Sequence, residues 1–144
     1  MKSIVKMKDA LKKKGMFVKK LSNQGEFFRK RWENEFASAL SASQKKKIYM
    51  DQFLWHAFSY EKLPCLQGEQ AIQAFEQQIK NDCYLLFEHD ERVLQLSKCK
   101  HLTSADLSKN TNMYLEDLYV VDEDFTWTYV ITHESSCGPY FYRT

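Results

Sequence analysis

Four side chains of reactive types stand out near aromatic segments: His56, His133, Glu134 and Cys137. Imidazole, carboxylate and thiolate groups can ligate a metal ion, and histidine and glutamate can also move protons. Their spacing matches neither a His-Glu-x-x-His helix nor paired Cys-x-x-Cys turns. The sequence therefore predicts no metal site and no cofactor, and it leaves open whether these four groups meet in space.

A cysteine nucleophile would need a thiol of lowered pKa and an imidazole oriented by a third group. His133 precedes Cys137 closely, but nothing in the sequence around them supplies oxyanion donors or an orienting group. The four glycines are isolated, so no phosphate-binding loop is predicted either. We therefore predict no catalytic residue, and these observations favour a protein that is not an enzyme.

The C-terminal strand decides how His133 and Glu134 are placed. Large and small side chains alternate from Phe125 to Thr132, which predicts a strand with the aromatic residues on one face and the threonines on a second, solvated face. Continued alternation would send His133 and Glu134 to opposite faces. A turn at 135–138 should follow, with a short closing strand that contains Tyr140. We expect His133 and Glu134 to staple this loop rather than to bind a ligand.

His56 lies in the segment from Ile48 to Phe58, whose apolar residues would cover nearly the whole circumference of a helix. Such a pattern predicts a central helix, capped by Ser41 or Ser43 and ending near Tyr60. A core or boundary histidine is the favoured interpretation of His56, and a ligand or proton-transfer group is the alternative. The candidate binding residues are thus His56, His133, Glu134 and Tyr140.

The remaining elements follow from periodicity and capping residues. Asn23 with Glu26, and Thr103 with Asp106, have the spacing of a capping box. Helices are predicted at about 4–14, 23–36, 41–60 and 69–80, with one helical turn at 102–107. Strands are predicted at 16–18, 83–88, 93–97, 113–121 and 125–132, before the closing strand.

Helices come first and strands afterwards, which predicts an α+β fold. We expect about four N-terminal helices packed on one face of a C-terminal antiparallel sheet of four to five strands, in a single domain over 1–144. No stretch has the roughly 20 apolar residues of a membrane span, and lysines interrupt every apolar run near the N-terminus. The four cysteines are far apart in the sequence and form no Cys-x-x-Cys pair. A cytoplasmic location without membrane attachment is therefore predicted.

Charge is divided along the chain. Residues 1–47 carry fourteen Lys and Arg against four acids, whereas 48–144 carry seven bases and fifteen acids. Lys45, Lys46 and Lys47 fall in the first turn of a predicted helix, where cations oppose the macrodipole. They are candidate anion contacts, although solvated helix faces explain most of the basic residues. No nucleic-acid motif accompanies them, so nucleic acid is not the expected partner.

The C-terminal sequence from Trp127 to Phe141, which contains Thr-His-Glu and Gly-Pro-Tyr-Phe, resembles that of a family of small bacilli-type proteins of unknown function. The segments Phe53–Ser59 and Gly68–Phe75 are similar to the same family. This resemblance implies a bacterial cytoplasmic protein and brings no activity with it. Comparable strand endings also occur among bacterial toxin-immunity proteins, an analogy only.

Three classes of function remain open. The favoured hypothesis is a non-enzymatic module that binds a protein partner, with an immunity-like role as its specific form. The second is a small-ligand binder or hydrolase-type enzyme, which requires His56, His133 and Glu134 to lie within reach of one ligand. The third is binding of an anionic polymer through the basic N-terminal third, with a steep salt dependence.

Overall fold

The computed structural model describes residues 2–110, 116–134 and 136–144, so the predicted strand at 113–121 begins outside the described residues. The helices are α1 Lys2–Lys13, α2 Gly25–Phe36, α3 Ala42–Lys47, α4 His56–Ser59, α5 Glu69–Gln77 and α6 Ser104–Asn110. The strands are β1 Phe17–Leu21, β2 Leu66–Gln67, β3 Asp82–Phe87, β4 Val93–Ser97, β5 Leu118–Asp122, β6 Trp127–Ile131 and β7 Tyr140–Arg143.

All seven described strands form one antiparallel sheet in the order β1-β4-β3-β5-β6-β7-β2. The α+β class is confirmed. The described residues hold six helices rather than about four, and seven strands rather than four to five. The sheet is larger than predicted because two short edge strands, β1 and β2, extend it on either side. Within the described residues, no helix is long and apolar enough to cross a membrane.

Helices cover both faces of the sheet, so the prediction of helices on one face is wrong. Consecutive residues of a strand point to opposite faces, and in β3 both Leu85 and Leu86 are fully buried. Leu85 packs in the core that α1, α5 and α6 cover. Leu86 packs in a second, more aromatic core beneath α2 and α4. Near-continuous apolar runs in β3 and β5 are the sequence pattern of such two-sided burial.

Strand β6 shows the same arrangement. Trp127 and Tyr129 face the first core, as the alternation predicts, but Thr128 on the opposite face is fully buried rather than solvated. The Thr128 hydroxyl accepts a hydrogen bond from Nε1 of Trp32 at 2.9 Å and donates to the Val120 carbonyl at 3.0 Å. Phe125 lies in the second core, not with Trp127, because its positive φ of 54° breaks the alternation before the strand begins.

The central helix predicted from 41 to 60 is broken in two. Ser41 begins α3 as predicted, in a capping box with Gln44. The chain then leaves the helix, with a φ of 59° at Tyr49, and forms successive turns until the four-residue helix α4. Ile48, Met50, Leu54 and Trp55 are nevertheless buried. Their burial is as expected, although the backbone is irregular.

The β3–β4 hairpin turn fixes the beginning of α2. Asn23 has a φ of 60° and makes no capping box with Glu26; the residue before the helix, Gln24, has no side-chain cap. Instead, the Glu91 carbonyl accepts from the backbone N–H of Gln24 at 2.9 Å and of Gly25 at 3.0 Å. A β-carbon on Gly25 would stand 2.2 Å from the Asp90 carbonyl oxygen, so only glycine permits this approach.

Other local predictions are confirmed. The Thr103 hydroxyl and the Asp106 carboxylate form a capping box at the start of α6. Gly15 follows α1 with a φ of 98°, in the left-handed region that favours glycine after a helix. Gly138, in the loop before β7, has a φ of 91°, as its place in a turn predicts.

Candidate functional site

Polar side chains from three neighbouring strands meet at one end of the sheet. Glu88 follows β3, Asp117 precedes β5 and His133 follows β6. Because β3, β5 and β6 are adjacent and antiparallel, these three positions share an end, and Leu118 pairs with both Phe87 and Ile131. The turns before α4 contribute aromatic residues there. We call this group the histidine rim; it consists of Phe53, Trp55, His56, Glu88, Asp117, Tyr119, His133 and Glu134.

The best-defined contact of the rim joins His133 to Asp117. The Asp117 carboxylate, whose residue is 4% exposed, accepts from the His133 backbone N–H at 2.8 Å. The same oxygen lies 2.9 Å from Nδ1 of the imidazole. A carboxylate at this distance makes Nδ1 the protonated nitrogen, which leaves the Nε2 lone pair as a hydrogen-bond acceptor in the neutral ring.

His56 is held in a similar way. Its Nδ1 lies 2.6 Å from the backbone carbonyl of Ile48, an acceptor only. Nδ1 must therefore carry the proton, and Nε2 is again the remaining acceptor of the neutral ring. Two histidines far apart in the chain are thus fixed in the same tautomer by internal partners.

Phe53 brings the histidines together. Its ring centroid lies 5.2 Å from that of His56, 5.1 Å from His133 and 5.7 Å from His89. Trp55 contacts His56 and His133 as well, at 4.7 Å and 5.8 Å. His56 and His133 are half-buried and His89 is exposed. The rim therefore combines accessible imidazoles with aromatic rings.

Glu88 and Tyr119 lie beneath this layer. The Glu88 carboxylate accepts from the Tyr119 hydroxyl and from the Leu54 backbone N–H at 3.0 Å. Burial, with a smaller contribution from the nearby Asp117 carboxylate, raises the pKa of Glu88 to about 7, although the two hydrogen bonds act in the opposite direction. The Tyr119 hydroxyl also accepts from the Trp55 backbone N–H at 3.2 Å, so it connects the sheet to the turns that carry the aromatic residues.

His133 and Glu134 do not diverge, and that prediction is wrong. Nε2 of His133 lies 3.8 Å from a carboxylate oxygen of Glu134. Strand β6 ends at Ile131, and the chain bends through the next residues, so strand alternation no longer applies. Glu134 is exposed, and its carboxylate therefore adds a negative charge beside the accessible imidazole nitrogen.

Loop stapling does occur, but Thr132 makes most of the contacts. Its hydroxyl lies 2.9 Å from the Glu134 carbonyl and 2.5 Å from the Cys137 carbonyl. The other carboxylate oxygen of Glu134 lies 3.3 Å from the Cys137 thiol. Burial and this carboxylate raise the pKa of Cys137, the reverse of what an activated nucleophile needs.

The other candidate residues lie elsewhere. Tyr140 is 2% exposed and packs against Phe58 in the second core, 5.5 Å between ring centroids. Lys45 is half-buried and pairs with the Glu33 carboxylate at 3.1 Å, so it has a structural partner. Lys46 and Lys47 are exposed in the last turn of α3, where cations suit the macrodipole because the helix has only six residues.

The rim is rich in acceptors rather than in metal ligands. Among the described residues, no group of three or more His, Cys, Asp or Glu side chains has the geometry of a metal site. The Glu134 carboxylate and, in a neutral ring, Nε2 of His56 or His133 can accept hydrogen bonds, and the face of half-buried Phe53 is attractive to a cation. This chemistry suits a hydrogen-bond donor that carries positive charge.

Asp117, Glu88 and Tyr119 were missed from sequence. Each stands at or near the end of a strand, where an acidic or phenolic side chain is unremarkable. The predicted strand at 113–121 has Asp117 at its centre, and only the observed start of β5 at Leu118 puts Asp117 at the same end of the sheet as Glu88. Backbone pairing confirms this, since the Glu88 N–H donates to the Asp117 carbonyl at 3.2 Å.

Comparison with known proteins gives a family and nothing closer. No curated protein and no solved structure matches the chain. A family model described as "Domain of unknown function (DUF4275)" matches residues 5–141, nearly the whole sequence. The chain therefore belongs to the DUF4275 family.

Proposed function

We propose that the protein is a binding module whose histidine rim receives a cationic hydrogen-bond donor, a lysine or arginine side chain of a protein partner. The observation that carries the proposal is the fixed tautomer of His133. Because Asp117 occupies Nδ1, the accessible Nε2 is an acceptor next to the Glu134 carboxylate. A donor that bridges Nε2 and this carboxylate satisfies both.

The charge of the rim supports the same partner. Asp117 is a buried acidic residue at the base of the rim and Glu134 is an exposed one, while Glu88, with its pKa raised by burial to about 7, adds a full negative charge only above that pH. Residues 48–144, which supply every member of the rim, carry eight more acids than bases. A negative potential of this kind attracts basic partners and accelerates their association at low salt.

The aromatic rings add a second attraction for a cation. A guanidinium or ammonium group over the face of half-buried Phe53 gains about 0.5–2 kcal/mol, depending on how far it is desolvated. Tyr60, whose ring lies 5.2 Å from His56, is 47% exposed and extends the aromatic surface outward. Exposed tyrosines beside buried aromatic anchors are typical of protein interfaces.

The specific form we favour is an immunity-like role, in which the acidic rim caps a basic toxin. The test is co-purification from the native cell with tagged wild-type protein and tagged variants. His133→Ala removes the acceptor, while His101→Ala is the matched control because His101 is exposed and makes none of the ring contacts of the rim.

We expect one stable protein partner with the wild type and with His101→Ala, and loss of that partner with His133→Ala. Absence of a stable partner from the wild type, or equal recovery with both variants, would overturn the proposal. Recovery of the partner should also fall as the salt concentration is raised, because salt screens the attraction between the acidic surface and a basic partner.

Acid–base catalysis is the second candidate, and the Asp117–His133 pair favours it. A buried carboxylate that holds Nδ1 leaves Nε2 able to take a proton, and Glu88 with a pKa of about 7 is suited to proton transfer near neutrality. Hydrolysis of simple activated esters tests this candidate. It requires a rate well above that of His133→Ala, with His101→Ala unchanged, and equal rates for all three proteins would exclude it.

A further inference from the structure

Strand β1 forms an open lateral edge of the sheet and contributes no residue to the histidine rim. Strand β1 is the last strand of the sheet and pairs only with β4, through all five of its residues. Its outer side therefore leaves peptide N–H and C=O groups unpaired by any strand in the described part of the chain. Such an edge can accept one more strand by main-chain hydrogen bonding.

A cavity of about 500 Å³ lies over β1 and its neighbour β4, beside this edge. It is lined by Lys12, Met16, Phe17, Lys19, Gln95 and Ser97, among others. Phe17 is 60% exposed, so an apolar side chain of an added strand would find an apolar contact there. Because Phe17 and Lys19 pair with Ser97 and Gln95, the cavity opens on one face of the β1–β4 pair, where long side chains of a strand added beside β1 can reach it.

The positive charge beside the edge favours an added strand with acidic side chains. Lys12 and Lys19 line the cavity, and none of the described lining residues is acidic. Lys20 is the next residue of β1, and Nζ of Lys98 lies 4.5 Å from the Phe17 ring. Lys14, close by in sequence, instead pairs with Asp106 at 2.5 Å. The edge is therefore flanked by positive charge from Lys12, Lys19 and Lys20.

Two other occupants fit less well. A second copy of β1 in antiparallel pairing would set Lys19, the central residue of the strand, opposite its own equivalent, and like charges across strands are destabilising. A nucleic acid could meet the lysines but not the outward peptide groups, which match another peptide backbone. A strand with acidic side chains satisfies both the backbone and the charge.

We infer that the β1 edge is a second interaction site, which binds an extended acidic segment of a partner protein by strand addition. The inference does not depend on the histidine rim, because the two sites share no residue. It also gives a role to the basic N-terminal region, in which lysines discourage pairing with other copies of the chain and attract an acidic strand.

The test uses fluorescence anisotropy of a labelled peptide of roughly seven residues that alternates glutamate and valine, the period of a strand. The comparison ligands are a peptide of the same composition with two valines replaced by proline, and a short oligothymidylate. The variant Lys12→Glu with Lys19→Glu reverses the charge at the edge. Lys46→Glu with Lys47→Glu is the matched control, since these two lysines of α3 are also exposed and do not line the cavity.

We expect the alternating peptide to bind the wild type and the control, and to bind the edge variant at least about tenfold more weakly. Amide hydrogen exchange in β1 should slow when the peptide is bound, which simple ion pairing would not cause. Equal binding of the proline peptide, tighter binding of the oligonucleotide, or unchanged exchange in β1 would each overturn the inference. Failure of the alternating peptide to bind at all would do the same.

Discussion

Strand β5 is bounded by two aspartates, and they do different things. Asp122, its last residue, binds only its own hairpin: its carboxylate accepts from Thr126 N–H at 2.6 Å and from Trp127 N–H at 3.0 Å. Asp117, just before the strand, accepts from the backbone N–H of His133 and also holds the imidazole. One carboxylate closes a turn, while the other closes a turn and orients a reactive ring.

The two aspartates separate polar groups that only stabilise the fold from polar groups that can also contact a ligand. All the hydrogen bonds at Asp122 end on the backbone and on the Thr126 hydroxyl, so the turn satisfies itself. At the other end, the contacts continue through His133 to an accessible Nε2 and the exposed Glu134. The turn end of β5 should therefore matter for stability alone, and the rim end for both stability and binding.

The largest expected effect is at the turn end. Asp122→Ala removes the acceptor of two backbone N–H groups and one hydroxyl, and should lower the free energy of unfolding by about 3 kcal/mol, since hydrogen bonds to a charged group contribute about 1.5–3 kcal/mol each and water replaces part of this loss. Urea unfolding measures it. Asp124→Ala, an exposed position in the same turn, is the control and should change stability by less than about 0.5 kcal/mol.

The next effect is a pH dependence at the rim end. The pKa of Glu88 rises from 4.5 to about 7 on folding because of burial, so the folded state holds this proton where the unfolded state has released it. Stability should then fall as pH rises from 4.5 to 7 and level off above 7. We expect about 2 kcal/mol, less than full linkage allows because the side chain borders a cavity of about 230 Å³.

Glu88→Gln keeps an acceptor for Leu54 and Tyr119 and removes the titration. Its unfolding free energy should therefore vary less between pH 4.5 and 8 than that of the wild type. Glu123→Gln, in an exposed turn, should retain the wild-type profile. A profile for Glu88→Gln that matches the wild type would show that Glu88 is not buried in the manner described.

The smallest effect on stability, and the one that separates the two aspartates, is Asp117→Asn. The side-chain oxygen of asparagine can accept from both the backbone N–H and Nδ1–H of His133, as the carboxylate does. The free energy of unfolding should therefore fall by less than about 1 kcal/mol. The loss of charge should nevertheless weaken binding of the cationic partner about tenfold, measured by titration calorimetry with the partner from co-purification. Asp122→Asn should leave that affinity unchanged, and a similar loss of affinity for both variants would remove the distinction between the two ends.

Local patterns predicted much of the fold. The cap at Ser41, one of two candidates, the Thr103–Asp106 capping box and the alternation from Trp127 to Ile131 depend on neighbours in sequence, and all three are found in the structure. The predicted β4 bounds, 93–97, are those observed. These elements follow from short-range sterics and hydrogen bonding, which a sequence displays directly.

The errors share a different cause. Gln24 is capped by Glu91 across the hairpin, and Asn23 adopts a left-handed conformation rather than a cap. Phe125 changes face through one positive φ, and the helix expected to reach Tyr60 is interrupted at Tyr49 by another. Each outcome depends on tertiary contacts or on a single unusual dihedral angle, which residue types do not reveal.

The site was predicted only in part. His56, His133 and Glu134 were selected for their chemistry, and the structure places both imidazoles against Phe53. Asp117 and the Ile48 carbonyl, which hold Nδ1 of the two imidazoles, were not predicted. A backbone carbonyl is invisible in a sequence pattern, and an aspartate at the start of a strand gives no sign of the histidine that it will meet.

The most direct test of the account is the tautomer of the rim histidines. Long-range proton–nitrogen spectra of protein labelled with ¹⁵N-histidine, recorded at a pH where the rings are neutral, distinguish a proton on Nδ1 from one on Nε2. We predict that His133 and His56 both carry it on Nδ1, with exposed His101 as the reference for an unconstrained ring. A proton on Nε2 of His133 would contradict the account, because the rim would then present a donor where a cation needs an acceptor.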